Sequence, residues 1–245
     1  MSRPGVRGAR GGGGAPELAG APRWVRAALA RCGATPRRGW GQHFLHDRQL
    51  LERQVAYAEL DGVHSVLEIG PGIGSLTELV APCSGPLVAI EKDRRFAPVL
   101  EDLQRRFANL RVVWADALTA PLPAAHTVVA NLPYGAALPL TFRLLEQRFE
   151  RAVLLYQLSL AERLRAQVGE AHYGRLSVAA GRLATFELLE RVRPAAFFPE
   201  PDVDSGLVLV RRTRPRFAVP DEAFFRATLE RLFGQREATL GEAIG

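Results

Sequence analysis

Short apolar runs alternate with amphipathic stretches through the middle of the chain. Runs of aliphatic residues closed by a polar residue are typical of buried strands, whereas apolar positions at i, i+3 and i+4 are typical of helices. The predicted strands span residues 65–69, 87–90, 111–114, 127–130 and 152–156. Helices are predicted between them at 76–81, 95–107 and 138–145. This order predicts an α/β fold with a mostly parallel, doubly wound sheet and helices on both faces.

The segments on either side of this core have different patterns. Before it, helices are predicted at 22–33 and 47–60, with Asp47 as the N-cap of the second. After residue 162, a helix is predicted at 173–183, and strands at 186–192 and 207–211 would add an antiparallel pair to the sheet edge. Two short helices are expected at 222–233 and 236–244. The 245 residues suit one large domain, or a domain of about 200 residues with appendages.

The composition of charged residues bears on the kind of molecule that the protein binds. The chain has 32 Lys and Arg against 26 Asp and Glu, a net charge of +6, and Lys92 is its only lysine. An arginine-rich surface favours phosphate and base edges and hence nucleic acid, although a GC-rich genome that prefers arginine codons would give the same composition. Residues 1–21 are rich in Gly, Arg, Ala and Pro and predict a disordered tail.

Other features narrow the location expected for the protein. Cys32 and Cys83 are only two and lie far apart, which fits a reducing compartment better than a disulfide scaffold. No apolar run is long enough to span a membrane, and the first residues lack the apolar core of a signal peptide. We therefore expect a cytoplasmic protein without a membrane partner.

A glycine-rich loop follows the first predicted strand of the core. Gly70, Gly72 and Gly74 alternate with other residues directly after residues 65–69, and a helix follows. Glycines at such a turn let the backbone approach a nucleotide-like ligand closely. Alone this pattern is weak, because dinucleotide-binding enzymes use a related spacing and a ligand-free turn would look the same.

Two acids end the next strands. Glu91 ends the second strand and could accept hydrogen bonds from both ribose hydroxyls of a nucleoside. Asp116 follows the third strand and could accept a bond from an adenine amine. Either residue could be a solvated surface acid, but the carboxyl ends of parallel strands share one edge of the sheet, which favours a common site.

The most discriminating motif is Asn131-Leu132-Pro133-Tyr134, directly after the fourth strand. The lone pair of an aryl amine is delocalised into the ring, so the amine is a poor nucleophile. An Asn oxygen and a backbone carbonyl fixed by proline could accept its two N–H bonds and favour a tetrahedral nitrogen. Tyr134 could stack on an extruded base. The motif therefore favours methyl transfer to an exocyclic adenine amine.

Together with further segments, these motifs resemble those of the rRNA adenine N6,N6-dimethyltransferases, above all the small-subunit enzymes and their archaeal and eukaryotic relatives. The resemblance covers about residues 38–239. Its specific segments are Gly41-Gln42-His43-Phe44-Leu45, Leu67-Glu68-Ile69-Gly70-Pro71-Gly72, Asn131-Leu132-Pro133-Tyr134, Tyr173-Gly174-Arg175-Leu176-Ser177-Val178 and Phe197-Phe198-Pro199-Glu200-Pro201-Asp202-Val203-Asp204-Ser205. It implies a Rossmann-like class I methyltransferase fold and S-adenosylmethionine as the cofactor.

The resemblance also implies roles for single residues. Cofactor contacts are implied at His43, Leu45, Gly70, Gly72, Glu91, Asp116 and Asn131. Asn131, Leu132, Pro133 and Tyr134 would position the target amine. Phe197 would supply the other aromatic face around the adenine, with Phe198 a weaker candidate. His43 and His46 have a spacing found in metal sites, but no further ligands accompany them, so no metal is expected.

The chain departs from the family pattern in two places. Residues 135–137 are Gly-Ala-Ala where the family usually has Asn-Ile-Ser, and residues 235–239 are less basic than usual. The helical region at the C-terminus is also short compared with relatives. We therefore expect a tail at 1–21, a methyltransferase domain at 22–213 and a shortened helical region at 214–245.

The resemblance predicts dimethylation of two adjacent adenosines near the 3′ end of small-subunit rRNA, in a pre-ribosomal particle, by a monomeric enzyme. The candidate phosphate contacts are Arg37, Arg38, Arg143 and Arg148. Three alternatives stay open: a large-subunit methyltransferase of the macrolide-resistance type, a ribosome-assembly factor with little catalysis, and a mitochondrial-style transcription factor on the same fold.

Overall fold

The computed structural model describes residues 18–215 and 217–234. Its helices are α1 (Arg23–Arg31), α2 (Arg48–Ala58), α3 (Thr77–Val80), α4 (Ala97–Arg106), α5 (Tyr134–Leu145), α6 (Leu158–Arg165), α7 (Arg175–Gly181) and α8 (Glu222–Gly234). Its strands are β1 (Phe44–Leu45), β2 (Val66–Ile69), β3 (Leu87–Glu91), β4 (Leu110–Trp114), β5 (Thr127–Asn131), β6 (Arg151–Gln157), β7 (Ala184–Val192), β8 (Phe197–Phe198) and β9 (Ser205–Arg212).

Seven strands form the central sheet in the order β4-β3-β2-β5-β6-β9-β7. The five strands from β4 to β6 are parallel, whereas β9 runs antiparallel to both β6 and β7. The predicted parallel sheet with a late antiparallel pair at one edge is confirmed. Because β3 and β5 lie on either side of β2, chain segments leave in opposite directions from β2, and a crevice opens at the carboxyl ends of these strands.

The apolar residues of the central strands alternate between two cores. Val66 and Val129 face one core with helices α1 to α4, whereas Leu67 and Val128 face the other with α5 to α7. Strands buried on both faces read as continuous apolar runs, which explains why the sequence pattern located them well. The result is a three-layer arrangement with helices on both sides of the sheet.

The ends of several elements have identifiable causes. The Asp47 carboxylate accepts a hydrogen bond from Leu50 N at 3.1 Å, so the predicted N-cap of α2 is confirmed. Helix α5 begins at Tyr134, before the predicted start at residue 138, although Pro139 lies inside it. Pro133 has φ −59° and ψ 129°, which sets the chain up to enter the helix directly after the motif. Helix α6 and the short strands β1 and β8 were not predicted.

The two ends of the described region differ from the expected boundaries. Leu18 and Ala21 are buried in the core, so the part of the chain that packs begins before the predicted boundary at residue 21, and residues 1–17 lie outside the described residues. Helix α8 confirms the helix expected at 222–233, and it is tied to α7 by the ion pair between Arg175 and Glu230 at 2.8 Å. The helix predicted at 236–244 lies outside the described residues. No helix in the described region has the length and apolarity needed to cross a bilayer.

Candidate active site

The carboxyl ends of the parallel strands open into one cleft. The space in it is about 950 Å³ with the open mouth included. Gly70 follows β2, Glu91 ends β3 and Asn131 ends β5. All three line the cleft together with Asp116, which lies two residues beyond β4. The structure therefore brings together the four residues that the strand pattern placed at this edge.

The glycine loop between β2 and α3 has a backbone that favours glycine. Gly70 has φ +71° and Gly72 has φ +56°, in the left-handed region where other residues are strained. A Cβ on Gly72 would also lie 3.3 Å from Cε1 of Phe44. Gly72 N donates a 2.9 Å hydrogen bond to Glu91 Oε2, so the loop and the end of β3 are held together.

Glu91 is 6% exposed and fixed by two backbone donors. Its Oε2 accepts from Gly72 N, and its Oε1 accepts from Asp93 N at 2.8 Å. Burial raises the pKa of Glu91, and the two backbone hydrogen bonds oppose that rise. Each carboxylate oxygen can still accept another bond, so the side chain is held ready for a hydroxyl pair in the cleft. Asp116 is fixed similarly, because its Oδ1 accepts from Leu118 N at 2.8 Å.

Glu68, to which the sequence analysis gave no role, also lines the cleft. It is 1% exposed in the middle of β2, and burial together with the nearby Glu91 carboxylate raises its pKa to about 8. Its Oε2 is buried without a hydrogen-bond partner among the described residues. An acid inside an otherwise apolar strand was the sequence feature that could have identified it.

Asn131 carries an unused acceptor. Its Oδ1 is buried and has no hydrogen-bond partner in the described part of the chain, although the residue lines the cleft. A buried acceptor without a partner costs free energy in the isolated protein, so a donor from a ligand would be favoured there. Pro133 lines the cleft beside it, whereas the Leu132 side chain is buried in the core, which leaves Leu132 only its backbone for any role at the site.

The ring of Tyr134 is held from two directions. Its hydroxyl lies 2.6 Å from Ser205 Oγ at the start of β9. One ring face packs against His43, with centroids 5.6 Å apart and an interplanar angle of 25°. Burial raises the pKa of Tyr134, so the hydroxyl stays protonated at neutral pH. Ser205 lies in a segment singled out by resemblance but had no predicted role, because its partner is 71 residues away.

Residues 40–45 form a strap along one side of the cleft, and His43 and Leu45 lie on it. The Nδ1 of His43 donates to the Pro199 carbonyl at 2.7 Å, which fixes the orientation of the ring. Leu45 is 3% exposed and pairs with Phe197 in the two-stranded sheet of β1 and β8. His46 points elsewhere, and no group of three metal-ligating side chains converges within residues 18–215 and 217–234.

Two expectations do not match the geometry. Phe197 is 2% exposed and belongs to the core, so its ring does not face the cleft in this conformation and cannot cover a base; Phe198 is only partly buried. Arg143 is not a phosphate contact here, because its guanidinium donates to the carbonyls of Ala117 and Ala120, the latter at 2.9 Å. This arginine instead fixes the loop that carries Asp116 to helix α5.

Comparisons with known proteins identify relatives of this chain. The family model described as "Ribosomal RNA adenine dimethylase" matches residues 33–245. The chain is 42% identical over 227 residues to a protein of Halobacterium salinarum, which covers 91% of this chain and 80% of the relative. It is 38% identical over 206 residues to a protein of Methanococcus maripaludis, with 83% and 78% covered. Both relatives are named "Probable ribosomal RNA small subunit methyltransferase A".

Two solved structures share the fold along most of the chain. A dimethyladenosine transferase from Plasmodium falciparum superposes with a TM-score of 0.73 at 28% identity, covering 82% of this chain and 74% of the other. The 23S rRNA methyltransferase ErmE superposes with a TM-score of 0.68 at 30% identity, covering 82% and 83%. With a family model that spans most of its length and relatives near 40% identity, the chain belongs to the ribosomal RNA adenine dimethylase family.

Proposed function

We propose that this protein transfers methyl groups from S-adenosylmethionine to the N6 amines of two adjacent adenosines near the 3′ end of small-subunit rRNA. The observation that carries the proposal is the buried, unpartnered Oδ1 of Asn131 at the edge of the cleft. This oxygen would accept a hydrogen bond from the amine of the substrate, and it lies beside residues that fit a nucleoside. Family membership and the names of the two archaeal relatives support rRNA as the substrate.

The residues of the cleft fit the cofactor. The backbone around Gly70 and Gly72 allows close approach, Glu91 presents a fixed carboxylate to the ribose hydroxyls, and Asp116 can accept from the adenine amine. His43 and Leu45 would line the side toward the strap. When bound, S-adenosylmethionine supplies a methyl group that its sulfonium has already activated.

The protein's own contribution is to prepare the amine. Asn131 Oδ1 would accept one N–H bond, and the Leu132 carbonyl, held by Pro133, would accept the other. With both hydrogens held, the nitrogen becomes tetrahedral and its lone pair points along the line of transfer. The nitrogen loses one of these protons to water after the new N–C bond has formed, so no strongly basic side chain is needed.

Tyr134 would hold the ring of the target base. His43 covers one face of the tyrosine and Ser205 fixes its hydroxyl, so the opposite face is presented in a fixed orientation. Stacking on an aromatic ring compensates an extruded base for the stacking that it loses in RNA. Since Phe197 is buried, its ring does not supply a second aromatic contact in this conformation.

We further propose that the substrate is an immature small ribosomal subunit, modified in the cytoplasm by a monomer. The net charge of +6 supports an RNA partner, because neutralised phosphates contribute a large part of RNA affinity. Incubation with labelled S-adenosylmethionine and immature small subunits, followed by mapping of the labelled adenosines, tests the assignment. Label in two adjacent adenosines of the small-subunit RNA is expected.

A second candidate follows from the likeness to ErmE, at 30% identity and a TM-score of 0.68. The same incubation with large-subunit RNA distinguishes the two, because label in large-subunit adenosines would replace the small-subunit assignment. Cofactor binding without any label would instead indicate an assembly factor that binds rRNA without modifying it.

A further inference from the structure

An exposed tryptophan lies at the mouth of the cleft. Trp40 is 40% exposed and lines the cleft together with Asn131 and Pro133. Two cations lie over its ring: the guanidinium carbon of Arg37 is 4.4 Å and Nζ of Lys92 is 4.7 Å from the ring centroid. Both cationic residues are exposed. Core packing does not account for an indole in this position, because a large aromatic surface is left in water beside a binding site.

The turn that carries Trp40 is held in place by a polar network. The Gln42 side chain accepts from Arg37 N at 2.9 Å and donates to Asp93 Oδ2 at 2.9 Å. Asp93, which is 3% exposed, also pairs with Arg95, whose guanidinium donates to the Thr35 carbonyl at 3.0 Å. Buried ionic networks add little net stability, but they do fix geometry. An exposed turn is therefore anchored to the end of β3.

The same turn touches the motif that would hold the target base. Gly41 has φ +65°, and a Cβ on it would lie 3.4 Å from Tyr134 N and 3.8 Å from Pro133 Cβ. Trp40 therefore precedes a residue that packs on the backbone of the Asn131 to Tyr134 motif. A nucleotide joined to a base bound at Tyr134 would have to pass this part of the cleft mouth.

We propose that Trp40, Arg37 and Lys92 form a platform for the nucleotide that adjoins the target adenosine. On binding, the two cations move from the indole to the phosphate between the nucleotides, and the freed indole face stacks on the neighbouring base. Charge favours RNA over the cofactor at these two cations, because S-adenosylmethionine carries a net positive charge from its sulfonium and ammonium against one carboxylate, whereas RNA carries one phosphate per nucleotide. The inference rests on the proposed function and extends it to a residue that selects and orients the strand.

Trp40→Ala tests the stacking role, and Trp24→Ala is the matched control. Trp24 is 43% exposed on α1 and does not line the cleft. We expect Trp40→Ala to raise the KM for a short single-stranded RNA with two adjacent adenosines by about 5- to 150-fold, the range of one lost base stack. Its dissociation constant for S-adenosylmethionine should stay within about twofold of wild type, as should both constants of Trp24→Ala. A loss of cofactor affinity with an unchanged KM for RNA would overturn the proposal.

The only lysine gives a second, independent readout. Acylation of Lys92 by an amine reagent can be located by peptide mass spectrometry, since the N-terminal amine is the only other primary amine of an unmodified chain. The short RNA should protect Lys92 in wild type, whereas S-adenosylhomocysteine alone should not. Lys92→Gln should lower the salt dependence of RNA binding by about 0.7 in the log–log slope. Protection by the cofactor product alone, or none by RNA, would overturn the platform.

The same experiments distinguish a failure of the proposed methyl transfer from a failure of the proposed platform. Protection of Lys92 is measured without turnover, so it tests the platform even in a protein that transfers no methyl group. A wild type that binds RNA across Lys92 but labels no adenosine would refute the methyl-transfer proposal alone. A wild type that labels adenosines with the same KM as Trp40→Ala would refute the platform alone.

Discussion

The buried carboxyl of Glu68 makes the stability of the cofactor-free protein depend on pH. Its pKa is raised from an ordinary value of 4.5 to about 8, mainly by burial within β2. The folded protein therefore keeps this proton between about pH 4.5 and 8, whereas the unfolded chain releases it. Stability from this group is greatest below pH 4.5 and falls as pH rises toward 8.

The size of the effect follows from the difference between the two pKa values. At about 1.4 kcal/mol per pH unit, it corresponds to about 5 kcal/mol over the whole range, and to about 3 kcal/mol between pH 5.5 and 8. Replacement by the neutral isostere in Glu68→Gln removes the titration but keeps the volume. The variant should therefore become more stable relative to wild type as pH rises.

Urea unfolding at pH 5.5, 6.5, 7.5 and 8.5 without added cofactor measures this difference directly. Glu101→Gln on the exposed face of α4 is the control, and its stability should follow that of wild type at every pH. A constant difference between wild type and Glu68→Gln across the series would refute the reasoning, because it would mean that Glu68 does not exchange its proton in this range.

Three further predictions concern the site. Asn131→Ala removes the unpartnered acceptor and should abolish methyl transfer while the circular dichroism spectrum is retained; full activity in the labelling assay would contradict the role of the amide. Tyr134→Phe loses the bond to Ser205, worth about 1 kcal/mol, and should raise the KM for RNA about fivefold with little change in kcat, so a fall in kcat alone would argue against a positioning role. Arg143→Lys loses the two-carbonyl clamp on the Asp116 loop and should weaken cofactor binding about tenfold in calorimetry, whereas the exposed Arg148→Lys should bind as wild type does.

The sequence located the central sheet well because its strands are buried on both faces. A continuous apolar run such as 128–130 has few alternatives to a buried strand, and it is followed directly by Asn131, which lines the cleft. The carboxyl-edge rule then placed Glu91, Asp116 and Asn131 together without any distance information. The positions of polar side chains at the ends of buried strands can therefore be predicted from the sequence.

The missed features have one local cause and two that depend on contacts between distant parts of the chain. The start of α5 was placed late because Gly135 and Pro139 weaken the local helix pattern, whereas the preceding Pro133 sets the entry. The burial of Phe197 follows from the pairing of two short strands more than 150 residues apart, which no local period reveals. Ser205 has no local signal for its role, since its partner Tyr134 lies on another element 71 residues away.

The antiparallel direction of β9 has a consequence for how the protein is made. Because this strand runs against its neighbour β6, its first residue, Ser205, rather than its last, arrives at the edge where the other strands end. A ribosome that has synthesised residues up to α5 has already produced the residues that line the cleft, but Tyr134 has no hydroxyl partner until Ser205, 71 residues further along the chain, emerges. The hydroxyl bond that fixes the base-holding tyrosine can therefore form only after β9 has joined the sheet, late in the synthesis of the chain.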